Sequence, residues 1–335
     1  MSQDLPDFIN YFLDPTHFDH PVTEVKLVQT HISYVLIAGE FVYKFKKPVD
    51  FGFLNFSTLE KRGFYCAEEL RLNRRLCEEI YLETMTVNKT ADGFCFNGDG
   101  ELVDHCLKMV KMDLDMMMGD VIGRGELTSD TLDKIAIRLN DFYTNADGNL
   151  STDEFGTAKG VSGNVLENFD QTETFIGGGA LTQEQFDSIK KFSVDFLTQE
   201  QLFLDRAKDH LKDCHGDLYS ANICLGEKIY IFDCIEFNER FRYSDVAADV
   251  AFLAMDLDFL GLPDQSDYFI DSFIKITGDT GLKTMLPFYK CYRAYVRGKI
   301  GLFTASDPNV DAKTAKVCTE NAAKYFALAH SYATA

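Results

Sequence analysis

The chain has 335 residues, 46% of them hydrophobic and 26% charged, the make-up of an ordinary globular protein long enough for two domains or lobes. Its net charge of −20 sets most of the surface against a nucleic-acid backbone, so no nucleic-acid partner is expected. The absence of any long apolar run argues against a membrane span. The start Met-Ser-Gln-Asp has no signal-peptide pattern, and nine scattered cysteines without a CxxC pair read as reduced thiols; a soluble, cytoplasmic protein is expected.

Residues 24–46 predict three short strands, Val25 to Val28, Ile32 to Ala38 and Phe41 to Lys46, the last two joined by a Gly39-Glu40 turn. Ser57-Thr58-Leu59-Glu60 reads as a capping box opening a helix to about Cys77. Strands over 84–89, 94–96 and Val103 to Met112 follow, and the last runs into a Met-rich connector, Asp113 to Gly119. A β-rich lobe with one long helix is thus drawn at 1–112, and a mainly helical lobe at 113–335. In the second, Leu132, Ile135, Ala136, Leu139 and Phe142 predict a helix over Leu127 to Thr144. Residues 145–181 are polar and glycine-rich and read as a loop or mobile insertion. A long helix is expected over Gln183 to Lys212. Short strands at Ile223 to Leu225 and Ile229 to Phe232 flank a Gly226-Glu227 turn, and helices fill the remainder.

Between that long helix and the two short strands lies His215-Gly216-Asp217-Leu218-Tyr219-Ser220-Ala221-Asn222, and Ile231-Phe232-Asp233 ends the second strand. A carboxylate, an amide five residues later and a second carboxylate after a strand-turn-strand suit phosphoryl transfer. Asp217 would orient or deprotonate an acceptor hydroxyl, Asn222 and Asp233 would share Mg2+, and His215 would support the loop by hydrogen bonding. In Phe41-Val42-Tyr43-Lys44-Phe45-Lys46 the aromatics share one face. Val42 and Lys44 occupy the other, an apolar cover for a nucleotide base and a cation for its phosphates; Lys46 shares that face and is the alternative. A partner glutamate is expected on the 57–77 helix. There Glu69 falls in the apolar stripe Tyr65, Leu72, Leu76, whereas Glu68 lies on a charged face, and a buried carboxylate requires a cation. Thr30 and Ser33 stand where a phosphate-covering loop would lie, although Gly-x-Gly-x-x-Gly is absent. Met109 and Lys111, at the end of the first lobe, complete the nucleotide-binding candidates. Asp50-Phe51-Gly52 spells a kinase metal motif but precedes the helix, so Asp50 reads as a turn residue.

With this layout, His215, Asp217, Asn222 and Asp233 match the His-Gly-Asp-x-x-x-x-Asn and Ile-x-Asp motifs of the aminoglycoside phosphotransferase branch of the protein-kinase-like superfamily. The runs Val42 to Phe53, Ser57 to Arg62, Glu69 to Leu76 and Asp233 to Asn238 resemble more narrowly an uncharacterised bacterial group of aminoglycoside phosphotransferase family proteins. Many of that group continue into a P-loop ATPase domain; with no Gly-x-x-x-x-Gly-Lys-Ser/Thr, a stand-alone form is expected here. The resemblance covers about residues 25–300 and implies a bilobal α+β fold, with ATP or GTP as donor and a small-molecule hydroxyl as acceptor. It also implies that Glu236, Arg242, Asp245 and Asp249 either line the substrate cleft or brace the catalytic loop. Acidic groups near the site suit an aminoglycoside or other polyol amine, and a sugar, choline-like or nucleoside-like acceptor fits equally. Two rivals remain. A protein kinase would need an activation segment that the short run after Asp233 has little room for, and a nucleotide-binding regulatory module would need no catalysis. Oligomeric state is not legible.

Overall fold

A computed structural model describes residues 5–308 and 310–335. The chain divides into two compact units. One comprises the chain up to Asp120 together with Cys224–Asn238, and the other comprises Val121–Ile223 and Glu239–Ala335. Residues 224–238, which carry Asp233 and Glu236, thus fold with the strands that carry Lys44, a membership that chain order does not reveal.

The first unit opens with a short helix, α1 (Asp7–Tyr11), and strands β1 (Val25–Gln29), β2 (Ser33–Ala38) and β3 (Phe41–Lys46). A long helix, α2 (Leu59–Cys77), precedes β4 (Tyr81–Thr90), β5 (Gly93–Phe96) and β6 (Glu101–Val110). The strands form one antiparallel sheet in the order β1-β2-β3-β6-β4-β5. Period-two alternation gives the sheet two apolar faces. Tyr34, Leu36, Tyr43, Phe45, Val87 and Cys106 pack with Ile9 of α1 and with Phe12, which follows it, on one. Tyr81, Leu107 and Met109 pack with Cys77 of α2 on the other, joined by Val42, Tyr230 and Phe232. Lys44, paired in register with Leu107, therefore projects on the α2 side.

The cap of α2 falls one residue later than the sequence suggests. Thr58 Oγ1 accepts the Lys61 N–H at 3.3 Å, because Ser57 is already engaged: its N–H and hydroxyl both donate to Asn55 Oδ1, at 3.1 and 2.7 Å. That Asx turn consumes the expected cap.

A short helix, α3 (Met118–Gly123), leads into the helices of the second unit. These begin with α4 (Ser129–Asn145), capped by Thr128 and burying Leu132, Ile135, Ala136, Leu139 and Phe142 as expected. The expected loop at 145–181 is instead built around α5 (Ala158–Thr172), whose buried Val165, Phe169 and Thr172 continue a helical stripe. Its glycines hid the helix from propensity, yet a Cβ on Gly160 would lie 2.2 Å from the Glu154 carbonyl oxygen, so that glycine serves close approach. The single helix expected over 183–212 is two, α6 (Gln183–Phe196) and α7 (Glu200–His210). Phe196 stacks on Phe288 at 4.6 Å and Phe203 meets the same ring edge-on at 5.8 Å. A straight helix would hold these two residues about 10 Å apart along its axis, so the break lets both reach one ring.

Strand β7 (Leu211–Asp213) ends at the His-Gly-Asp loop; β8 (Ile223–Leu225) and β9 (Ile229–Ile231) form the hairpin before Asp233. Strand β10 (Tyr243–Asp245) pairs with β7 and feeds α8 (Val246–Phe259). Helix α8 is buried on nearly every side, as a core helix must be when it is apolar all round. Around it lie α9 (Pro263–Thr277), α10 (Leu282–Ser306) and α11 (Ala312–Thr334). All nine cysteines are free thiols, seven of them buried. No described helix is long and apolar enough to cross a membrane.

Candidate active site

In the first unit, Lys44 of β3 donates to Glu69 Oε1 of α2 at 2.7 Å and to Asp233 Oδ1 at 2.6 Å. Lys46, two residues on and only 2% exposed, donates to Glu69 Oε2 at 2.7 Å and to Glu236. Glu69, 1% exposed, is thus shared by both lysines, so the choice between Lys44 and Lys46 resolves into two partners for one carboxylate. Glu68, its rival, lies instead on the outer surface of α2, bonded to Arg71. The segment after β9 is pinned further. Its Asp233 N–H donates to the Tyr81 hydroxyl at 3.3 Å, and its Cys234 N–H to Asn73 Oδ1 at 2.9 Å. Asn73 was not anticipated; its position four residues after Glu69, on the same helical stripe, was the available signal.

Burial alone would raise the Glu69 pKa, but Lys44 and Lys46 more than reverse it and hold it at about 2, against an ordinary 4.5. Burial works against the Lys44 charge, while Asp233 and Glu69 keep its pKa well above the usual lysine range. Since the folded pKa of Glu69 lies below the unfolded one, its stabilisation is complete above pH 4.5 and fades as pH falls toward 2. Thermal midpoints of wild type and E69Q, followed from neutral to acid pH, should therefore converge in that window. The wild type gives up roughly 3 kcal/mol that the variant never had. Parallel curves would show that the lysines do not hold this charge.

Val42 and Met109 are paired across β3 and β6 on the α2 face and belong to one apolar cluster. Lys111 is exposed, its N–H bonded to the Glu40 carbonyl at 2.9 Å. With Glu40, Met112 and Asp113 it lines a surface depression of about 380 Å³. Thr30 is exposed and Ser33 is buried. The Thr30 hydroxyl accepts the Ser33 N–H at 2.9 Å and closes its own turn, and Ser33 is buried with its hydroxyl unbonded.

In the second unit, the loop from His215 to Asn222 is held by two acids of α8. Asp249 accepts the N–H groups of His215 at 2.7 Å and Gly216 at 2.9 Å, and Asp256 accepts that of Ser220 at 2.9 Å. Seven residues apart, they lie on one face of a helix, and two acids inside an apolar run were the sequence signal for Asp256, which was missed. Gly216 has φ +86°, a conformation that favours glycine, and its carbonyl accepts from Arg293 of α10 at 3.0 Å. His215 is fully buried, its Nδ1 3.3 Å from the Asp217 N–H. The Asn222 amide donates to the Asp217 carbonyl at 2.9 Å and to its Oδ2 at 3.1 Å, which sets the carboxylate and leaves the Asn222 amide oxygen without a hydrogen bond among the described residues.

Arg242 and Asp245, expected either to line the cleft or to brace the loop, each have a buried charged partner. Arg242 is buried against Asp213. Asp245 takes a two-pronged bond from Arg206 at 2.7 and 2.8 Å and caps α8 through the Ala247 N–H. Glu236 is likewise enclosed, against Lys46. A charged run of sequence reads the same whether it is solvated or paired in the interior, so only the packing separates the roles. Lys44, Glu69, Asp233 and Glu236 are thus brought together in the first unit, and His215, Asp217 and Asn222 in the second.

The resemblance of the His215–Asn222 and Asp233 motifs implies magnesium. No described group of three or more His, Cys, Asp or Glu could cage a metal, but magnesium commonly takes one or two protein oxygens and completes its shell with water and phosphate. Asp233 fits: its backbone sits at φ +62° and its side chain is 46% exposed. Asn222 fits through its unbonded amide oxygen.

No family model matches the chain. Uncharacterized proteins of Mycobacterium tuberculosis and Mycobacterium bovis are 32% identical over 298 residues, covering 86% of this chain and 57% of theirs. The chain thus spans little more than half the length of these relatives. Among solved structures, a choline/ethanolamine kinase family protein from Mesorhizobium loti superposes with TM-score 0.52 at 12% identity, over 94% of this chain and 92% of its own. A spectinomycin phosphotransferase in complex with ADP and spectinomycin gives 0.52 at 14%, over 98% and 100%. A glucosamine kinase gives 0.50 at 13%, over 91% and 76%. The chain has the α+β, protein-kinase-like fold of the aminoglycoside phosphotransferases and the choline and ethanolamine kinases.

Proposed function

We propose that this protein transfers the γ-phosphoryl group of ATP or GTP to a hydroxyl of a small molecule. The observation that carries the reading is the double engagement of Lys44. This strand lysine meets a helix glutamate 25 residues away and an aspartate 189 residues away, the set that phosphate positioning and metal binding require. Lys44 would hold the α- and β-phosphates, with Glu69 fixing its direction. Asn222 and Asp233 would each offer an oxygen to magnesium, which when bound neutralises charge on the phosphates. Asp217, oriented by Asn222, would take the proton of the acceptor hydroxyl as its oxygen bonds to the γ-phosphorus and the bond to the β,γ-bridging oxygen breaks, releasing the nucleoside diphosphate. Positioning and charge neutralisation are most of what such a transfer needs.

The similar structures are named for acceptors or families that carry both an amine and a hydroxyl: choline and ethanolamine, spectinomycin, glucosamine. An amino alcohol or amino sugar is accordingly the first acceptor class to try, and the chain's net charge of −20 favours a cationic molecule. Purified protein with labelled ATP or GTP, screened against amino alcohols, amino sugars, aminoglycosides and nucleosides, should place label on one class in a magnesium-dependent way. Incorporation no greater than that of D217N across all classes would sink the reading.

A further inference from the structure

Five charged groups in the first unit form one chain: Asp233–Lys44–Glu69–Lys46–Glu236. Its two ends lie three residues apart on one segment, so the chain closes into a ring tying β3, α2 and residues 233–236 together. Lys46 is enclosed, with Glu69, Glu236 and the Phe56 ring (4.6 Å from Nζ) around it. Phosphate binding through the neighbouring Lys44 leaves it no part to play.

We propose that Lys46 and Glu236 are positioning residues for Asp233, fixing the metal-binding carboxylate from three residues away; this rests on the phosphotransferase reading. Three arguments support the assignment. Asp233 holds φ +62°, a left-handed conformation uncommon outside glycine, which aspartate tolerates better than most residues and which surrounding contacts must still select. Its own contacts are few: a 3.3 Å bond to Tyr81 and the shared Lys44. The firm anchors lie just beyond, at Cys234 through Asn73 and at Glu236 through Lys46. The second argument is charge. Two lysines face three carboxylates, and a nucleotide draws Lys44 toward phosphate; Lys46 then remains as the shared cationic partner of Glu69 and Glu236, without which both would be buried unpaired charges. The third is geometry. Glu69 keeps its second oxygen on Lys46 whichever partner Lys44 takes, so α2 and the Asp233 segment stay linked through the exchange.

The test is calorimetry of a non-hydrolysable ATP analogue with the full chain, at stepped Mg2+ concentrations and without Mg2+. E236Q keeps the shape but removes the negative charge that faces Lys46, and should raise the Mg2+ concentration at half-saturation about 10-fold, the usual cost of losing an outer-shell partner. Affinity without Mg2+ should stay at the wild-type value, a split that general loosening of the fold would not give. E236D keeps the charge and shortens the reach; it should shift the Mg2+ requirement in the same direction, and it decides the matter if E236Q does not fold. Wild-type Mg2+ dependence in a folded variant, or equal loss with and without Mg2+, overturns the assignment while the phosphotransferase reading stands. No Mg2+-dependent nucleotide binding by the wild-type chain would overturn both.

Discussion

Asp217→Asn should lower turnover by about 10²–10⁴-fold and leave nucleotide affinity unchanged. The substitution is nearly isosteric, and the loop that presents it does not depend on its charge. Asp249 and Asp256 hold the backbone at His215, Gly216 and Ser220, and Arg293 holds the Gly216 carbonyl. The bond from the Asn222 amide to the Asp217 carbonyl would also persist. What disappears is the carboxylate that would receive the hydroxyl proton, a loss of about 3–5 kcal/mol in transition-state stabilisation by the same conversion. Nucleotide affinity is assigned to Lys44, Asp233 and Asn222, all left in place, and an asparagine side-chain oxygen at 217 can still accept from the Asn222 amide, so single-turnover kinetics and calorimetry should separate the two effects. Turnover within a few-fold of wild type would remove Asp217 from the mechanism.

Asp233→Ala should abolish the gain in nucleotide affinity that Mg2+ brings, a loss beyond roughly 100-fold, since deleting a ligand costs more than deleting its outer-shell partner. The variant should still fold. Asp233 is 46% exposed, and Lys44 keeps its 2.7 Å bond to Glu69 when the aspartate goes. Alanine still faces the left-handed backbone at this position, so a modest fall in thermal midpoint should accompany the functional loss. Equal Mg2+-dependent affinity in wild type and D233A would refute the role given to this carboxylate.

The pairing of Lys44 with Glu69 was legible in the sequence because the signals that carry it are local. Alternation in Phe41–Lys46 put the aromatics on one face and both lysines on the other, and the sheet keeps that assignment, with Tyr43 and Phe45 in one cluster and Val42 in the other. Helical spacing separated Glu69 from Glu68 for the same reason: a stripe of apolar residues around a lone acid means burial, and burial means a cation. Local signals also misled. Ser57 looked like a cap but serves the preceding turn, and the glycines of 145–181 looked like flexibility but admit close packing around α5.

The sequence by itself determined the strands of the first sheet and the β8–β9 hairpin, the long helix α2, the loop carrying Asp217 and Asn222, and the face on which Lys44 and Glu69 meet, because periodicity and spacing are properties of neighbours along the chain; it did not show β7 and β10, which pair with each other across the chain. Only the tertiary structure decided that Glu69 has two lysines, that Glu236 answers Lys46, and that Arg242 and Asp245 are spent on Asp213 and Arg206. It alone also revealed Asp256 beside Asp249 under the His215–Asn222 loop. The physical reason is that a charge buried in a fold takes whichever opposite charge the packing brings within reach. For Glu236 that partner lies 190 residues away, where no local pattern points to it.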